Sequence, residues 1–162
     1  MNNKANIFFY DFPIGIVGIA EQDGYICRVF FGKDNIPSTY TELETPTLQK
    51  AATQLHEYFG GTRKEFNLPL SHGGTPFQQS VWKALQNIPY GKTKSYLDIS
   101  LEISNPKAYR AVGMANNRNP LAIFIPCHRV TNHNGNLCGY AGGIDTKKFL
   151  LNLEGVKPKG EK

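Results

Sequence analysis

The rhythm of apolar and polar positions changes along the chain. Residues 5–10, 16–20 and 25–31 are dense in aromatic and β-branched side chains, separated by Pro13-Ile14-Gly15 and Gln22-Asp23-Gly24. Those breaks are turn-formers, so the first thirty residues predict three strands joined as a meander. The rhythm then becomes helical. Thr45-Pro46 is a capping residue followed by proline, Leu48, Ala51, Ala52, Leu55 and Phe59 fall on one face, and Gly60-Gly61 ends the run. A short strand is expected near 65–68. Residues 69–74 read as a linker with Gly73-Gly74 as its flexible point.

Beyond the linker the pattern stays helical. Thr75-Pro76-Phe77-Gln78 combines a cap, a first-turn proline and a glutamine three residues after the cap, and Phe77, Val81, Leu85 and Ile88 share a face with Trp82 beside them. Ser95 with Asp98 predicts a second capped helix, through about Leu101. Asn105-Pro106 predicts a third, running through Ala108, Ala111, Val112 and Ala115. The short gap between these two is helix-turn-helix spacing, in which the second helix reads the partner. An ordinary packed helical pair would look the same. Asn132-His133-Asn134-Gly135 is a turn and 139–143 a glycine-rich loop. Asp145 is expected to open a last helix with Phe149, Leu150 and Leu153 inward, ending at Glu154-Gly155. Strands gathered first and helices afterwards make an α+β chain of two domains, residues 1–73 and 74–162.

Composition narrows the function. The net charge of +5 is uneven: 1–73 hold six Lys/Arg against eight Asp/Glu, and 74–162 hold twelve against five. The second half is therefore at +7, which suits either a bound polyanion or simply a solvated basic surface. No apolar run reaches the length of a membrane span, and the first residues lack a secretory leader, so no membrane association and a cytoplasmic, reducing setting are expected. Cys27, Cys127 and Cys138 are odd in number without a Cys-x-x-Cys, which argues against a disulfide framework or a thiolate zinc site. His56, His72 and His133 lack ligand spacing and read as surface or structural residues.

One stretch concentrates chemistry. Ile125-Pro126-Cys127-His128-Arg129-Val130 sets a thiol, a base and a guanidinium side by side after an apolar run from 121 to 125. A thiol becomes a good nucleophile only as thiolate, so the neighbouring histidine matters. In an extended segment, however, adjacent side chains point to opposite faces, and direct transfer from Cys127 to His128 is not assured.

Taken together, residues 77–155 resemble the O6-alkylguanine-DNA alkyltransferase family, also called methylated-DNA–protein-cysteine methyltransferases. The resemblance lies in the capped helix with Trp82, Pro89-Tyr90-Gly91-Lys92, Ser95-Tyr96, Asn105-Pro106-Lys107-Ala108, Arg110-Ala111-Val112-Gly113, Asn119-Pro120, Pro126-Cys127-His128-Arg129, Tyr140-Ala141-Gly142-Gly143 and residues 151–155. The first half matches in its layout of strands and helix, like the family's ribonuclease-H-like N-terminal domain with a small antiparallel sheet. The resemblance implies an irreversible, stoichiometric transfer of the alkyl group of O6-alkylguanine, with O4-alkylthymine a further substrate, to Cys127. Water carries the thiol proton to His128, and Glu154 orients the imidazole. The base is flipped out of duplex DNA. Arg110 takes its place, Tyr96 rotates the flanking phosphate and touches the base, and Lys107, Ala108, Ala111 and Gly113 lie along the helix entering the minor groove. Asn119 ties the turn after that helix to the active segment, and Val130, Tyr140, Ala141 and Cys138 line the guanine pocket. Arg129 is assigned to ion pairing. No cofactor, no metal and no obligate protein partner are implied, and the chain is expected to act as a monomer.

The sequence departs from the family at three positions. Ala141 lacks the hydroxyl of the serine some members carry, Tyr109 replaces a small residue beside the arginine, and Cys138 stands where glycine is frequent and is expected to narrow the pocket. Two competing readings remain: a lesion-binding alkyltransferase-like protein, which the presence of Cys127 opposes, and a cysteine hydrolase, which gives the helix pair and basic half no role.

Overall fold

The computed structural model describes residues 5–132, 134, 135 and 137–157; His133 lies outside them. The described residues fall into two compact units that divide between His72 and Gly73.

In the first unit the meander forms β1 (Ala5–Phe12), β2 (Gly15–Gln22) and β3 (Tyr25–Phe31), with Asp23 and Gly24 both at positive φ in the two-residue turn between β2 and β3. A fourth strand, β4 (Tyr40–Glu42), pairs parallel with β1, giving the order β3-β2-β1-β4. The sheet is therefore mixed, not purely antiparallel as expected. Three residues with one aromatic carry no alternation, and the pairing of Ala5 with Tyr40 is a long-range choice. The helix α1 (Pro46–Phe59) is capped by Thr45 Oγ1, which accepts from Leu48 N–H at 3.2 Å. It buries Leu48, Ala51, Ala52, Leu55 and Tyr58.

The strand expected at 65–68 is absent. Its backbone is held by a side chain: Gln54 donates to Asn67 O at 3.1 Å and accepts from Asn67 N–H at 2.9 Å. What pairs with the sheet instead is the segment read as linker, for Ile26 N–H donates to Pro69 O (2.8 Å) and Ser71 N–H to Ile26 O (2.9 Å). Cys27, expected in the core, is half-buried.

The second unit contains α2 (Pro76–Gln86), β5 (Lys94–Ser95), α3 (Tyr96–Glu102), α4 (Tyr109–Asn117), β6 (Val130–Thr131) and α5 (Ile144–Leu153), with β5 and β6 paired in parallel. Both predicted capping boxes form, Thr75 with Gln78 and Ser95 with Asp98. Trp82 is buried and its indole N–H donates to Ala115 O at 2.9 Å, so it ties α2 to α4. Gly74 is no free hinge: at φ +91 its backbone passes so close to the indole that a Cβ would stand 2.5 Å from Trp82 Cζ3.

Two expectations about helices change. α4 starts at Tyr109 because Ala108 N–H bonds to Asn105 O at 3.0 Å, closing a turn first. Lys107 and Ala108 therefore precede the helix. On α5 the inward stripe is Lys147, Leu150 and Leu151, followed by Glu154, whereas Phe149 is 39% exposed. Among the described residues, no helix is long and apolar enough to cross a membrane.

Candidate active site

The approach to Cys127 is shaped by one amide. Asn119 Nδ2 donates to Ile125 O (2.8 Å) while its Oδ1 accepts from Leu121 N–H (3.0 Å), and Ile125 N–H returns to Leu121 O (2.8 Å). The enclosed loop is wholly apolar and buried, and it holds Ile123 at φ +77. A β-branched residue there costs on the order of 1–3 kcal/mol and persists only where its surroundings over-determine it. Pro126, at φ −80 and ψ 63, then centres a tight inverse turn closed by Cys127 N–H to Ile125 O (2.8 Å). Cys127–Arg129 form one turn of 3-10 helix before the chain leaves as β6. The extended geometry assumed from sequence is thus corrected. Three residues per turn fan the Cys127, His128 and Arg129 side chains about 120° apart.

All three are buried, and Glu154 organises two of them. Its carboxylate takes His128 Nε2 (2.7 Å), Arg129 Nε (2.8 Å), Arg129 Nη2 (3.1 Å) and Gly91 N–H (3.0 Å). Burial alone would raise this carboxyl, but the hydrogen bonds from His128, Arg129 and Gly91 N–H, with the charge His128 carries when protonated, outweigh it and bring the pKa down to about 2. An ionised carboxylate only accepts, so Nε2 of His128 carries the hydrogen and Nδ1 presents a lone pair. That nitrogen is buried and has no protein partner among the described residues. Burial also lowers the His128 pKa, more than the Glu154 charge restores it, so the imidazole is neutral at pH 7. Arg129 Nη1 donates to Ile88 O (2.7 Å), which makes Arg129 a buried structural anchor.

The Cys127 thiol is itself pushed up to about 11 by burial, with an Asn119 hydrogen bond and the Lys147 charge pulling the other way. It rests protonated, and the residue that follows it is a neutral base whose Nδ1 lone pair has no protein partner among the described residues. Lys147 is fully buried and was not singled out in the sequence, although 147, 150, 151 and 154 form a regular i, i+3, i+4, i+7 stripe. Its Nζ donates to Val130 O (2.7 Å) and Cys138 O (3.2 Å) and lies 3.6 Å from Cys138 Sγ. Burial lowers its pKa, while the two thiols Cys138 and Cys127 pull it back up. Tyr96, the first residue of α3, donates its hydroxyl to Cys138 Sγ at 2.9 Å, and its pKa is raised by burial and by that bond.

The network brings together the buried Cys127, His128, Glu154, Asn119 and Val130 with the half-buried Cys138 and Tyr96, and adds the buried Lys147. Tyr140 is half-buried at the start of the turn closed by Gly143 N–H to Tyr140 O (2.9 Å), and Ala141 in that turn is exposed. Arg110, Lys107 and Ala111 are exposed and outside the network, and Ala108 is half-buried. They share the outer face around α4 with Tyr109, Arg118 and Met114, which is 58% exposed, and no acidic residue lies between 105 and 118. Gly113 connects the two regions: a Cβ there would meet the Tyr96 ring at 3.7 Å, an ordinary contact. A buried thiol and a carboxylate-tethered imidazole, in the same unit as a basic helix face, suit group transfer from a polyanionic substrate.

Comparison with known proteins agrees. Residues 76–156 match the family described as 6-O-methylguanine DNA methyltransferase, DNA binding domain, and residues 8–72 match 6-O-methylguanine DNA methyltransferase, ribonuclease-like domain. The constitutive methylated-DNA–protein-cysteine methyltransferase of Bacillus subtilis is 50% identical over 155 residues, covering 91% of this chain and 93% of that protein. A Methanosarcina acetivorans protein of the same name is 48% identical over 150 residues, covering 90% and 96%. Among solved structures, Mycobacterium tuberculosis O6-methylguanine methyltransferase superposes with a TM-score of 0.87 at 40% identity over 96% of each chain. The M. tuberculosis OGT structure in complex with DNA gives 0.86 at 43% identity over 92% of each.

Proposed function

The chain belongs to the 6-O-methylguanine DNA methyltransferase family, and from that premise we propose that it repairs DNA by direct reversal, moving the alkyl group of O6-alkylguanine onto Cys127. The observation that carries this reading is the buried Cys127 thiol, followed in the chain by a neutral His128 whose Nε2 is fixed on Glu154 and whose Nδ1 has no partner among the described residues.

The chemistry follows from those groups. The Cys127 proton passes, through water, to His128 Nδ1, and the resulting imidazolium is stabilised by the Glu154 carboxylate at 2.7 Å. The thiolate left behind faces the Lys147 ammonium and the Asn119 amide, which favour its charge. Sulfur attacks the alkyl carbon, the bond from that carbon to O6 breaks with its electron pair moving into the purine, and the purine takes up one proton, balancing the one the thiol gave to His128. The products are a neutral guanine and a cysteine thioether. Thiol and alkylated base supply every atom of the exchange, so no cofactor takes part. A thioether has no hydrolysable linkage, and each chain therefore transfers once. That separates the proposal from a cysteine hydrolase, whose acyl intermediate water cleaves.

The partner is alkylated double-stranded DNA. The basic face of Lys107, Arg110 and Arg118 supports contact with phosphates, and the small Ala108, Ala111 and Gly113 support close approach in the minor groove. Arg110 fills the space of the flipped nucleotide, and Tyr96, Val130, Tyr140, Ala141 and Cys138 enclose the base, with O4-alkylthymine as the smaller alternative. Three free cysteines suit a reducing, cytoplasmic setting. The test is Cys127→Ala: it should bind O6-methylguanine duplex with near-unchanged affinity and transfer nothing. A folded variant that still removes methyl groups would overturn the assignment.

A further inference from the structure

Cys138 has more contacts than a spacer in a pocket wall requires. Its Sγ accepts the Tyr96 hydroxyl at 2.9 Å, lies 3.6 Å from Lys147 Nζ, and directs its own S–H towards Val130 O at 3.6 Å. Lys147 is fully buried, and among the described residues it pairs with no carboxylate. A buried ammonium of that kind is unfavourable unless its hydrogen bonds are well placed. Those bonds go to Val130 O and Cys138 O, so one ammonium pins the segment leaving the thiol to the loop before Tyr140. Tyr96 hangs on the outer end of this post, and its ring lies against Gly113 of α4.

We propose that Cys138 is a positioning residue: anchored by Lys147, its sulfur holds the Tyr96 hydroxyl and so sets the ring that joins the pocket to the exposed helix α4. The assignment rests on the acceptor reading of Cys127. Because Cys138 is half-buried and Cys127 fully buried, a small thiol-capping reagent at limiting dose is expected to cap Cys138 ahead of the acceptor and to release Tyr96.

The test uses the full chain and single-turnover transfer from O6-methylguanine duplex, comparing Cys138→Ala, Cys138→Ser, Tyr96→Phe and the double variant Cys138→Ala/Tyr96→Phe. Cys138→Ala should slow transfer about three- to tenfold, the scale of one neutral hydrogen bond. Cys138→Ser, which keeps an acceptor, should recover most of the loss, and the double variant should be no slower than Tyr96→Phe. Additive losses, a wild-type rate for Cys138→Ala, or a serine variant as slow as alanine would each overturn the assignment. Should Cys138→Ala not fold, methyl methanethiosulfonate capping of Cys138 on a Cys27→Ala chain replaces it, with peptide mapping to show that Cys127 carries no cap. Transfer should fall and return with dithiothreitol, and an unchanged rate in the capped chain overturns the proposal. Methyl found on Cys127 of the unmodified chain keeps the acceptor reading intact whichever way Cys138 falls; its absence there would sink that reading first.

Discussion

Replacing Glu154 with glutamine keeps the shape of the side chain and removes its charge. Four hydrogen-bond donors converge on the carboxylate, from His128, Arg129 twice, and Gly91. An amide offers one oxygen and turns its NH2 towards donors. Arg129 keeps Ile88 O at 2.7 Å, but its charge is then unpaired at 7% exposure. Removing one partner of a buried pair costs about 3–5 kcal/mol. In a domain of this size each kcal/mol lowers Tm by about 4–8 °C, so a fall of at least about 12 °C is expected. Trp82 is the only tryptophan and lies in the same unit, so its fluorescence in urea reports the relevant unfolding. The rate of methyl transfer should fall further than stability explains. His128 loses both the acceptor that fixes its tautomer and the charge that stabilises its imidazolium, and the comparable aspartate-to-asparagine change in a hydrolase triad lowers turnover about 10⁴-fold. A Glu154→Gln chain within about 1 kcal/mol and tenfold of wild type would refute the reasoning, because the charge of Glu154 would then do neither job.

Gly74→Ala should cost about 1–3 kcal/mol in urea denaturation, because the residue sits at φ +91 and a Cβ would run into the Trp82 ring. Gly73→Ala, at φ +62 with open space around it, should cost less, and equal losses would show that the ring contact is irrelevant. Arg110→Ala should slow transfer from duplex far more than from a free alkylated base, since only the duplex needs a base extruded; equal slowing removes the finger role. Stability should fall as the pH drops below about 6.5. His128 has a folded pKa below its ordinary 6.5, and Glu154 goes from 4.5 to about 2, so the unfolded chain binds the extra protons and stability falls as pH drops below 6.5 and again from 4.5 towards 2. Cys127, raised from 9.0 to about 11, makes the folded chain retain a proton that the unfolded chain loses, so its contribution declines above pH 9, while Lys147, lowered from 10.5, acts in the opposite sense. Urea midpoints across pH 3–10 check this, and a chain that gains stability between pH 7 and 5 contradicts it.

Local signals in this chain are written plainly. Thr45, Thr75 and Ser95 announce three helices through hydrogen bonds that span three residues, and Asp23-Gly24 announces a turn through its φ preference. What the sequence hides is long-range. β4 exists because Tyr40 meets Ala5, and the segment after α1 stays irregular because Gln54 takes its backbone bonds. Gly74 looks like a hinge until the Trp82 ring is placed beside it. In the site, the Cys127-His128-Arg129 cluster is visible as three adjacent reactive residues, but their coiled geometry depends on Asn119 closing a loop six residues away. The Glu154 contact spans 26 positions and entered only through family resemblance. Lys147 escaped notice because a lysine on an amphipathic helix normally marks the wet face, and only the regular stripe it shares with Leu150, Leu151 and Glu154 puts it inside.

The central claim is that Cys127 is a substrate consumed once. Incubating the protein with excess duplex carrying a radiolabelled methyl on guanine O6, followed by peptide mapping, tests it directly. Label should rise to one equivalent per chain, stop there, and sit on the peptide containing Cys127. Label continuing past one equivalent, methyl released to solvent, or label on Cys138 or Cys27 instead would contradict the account.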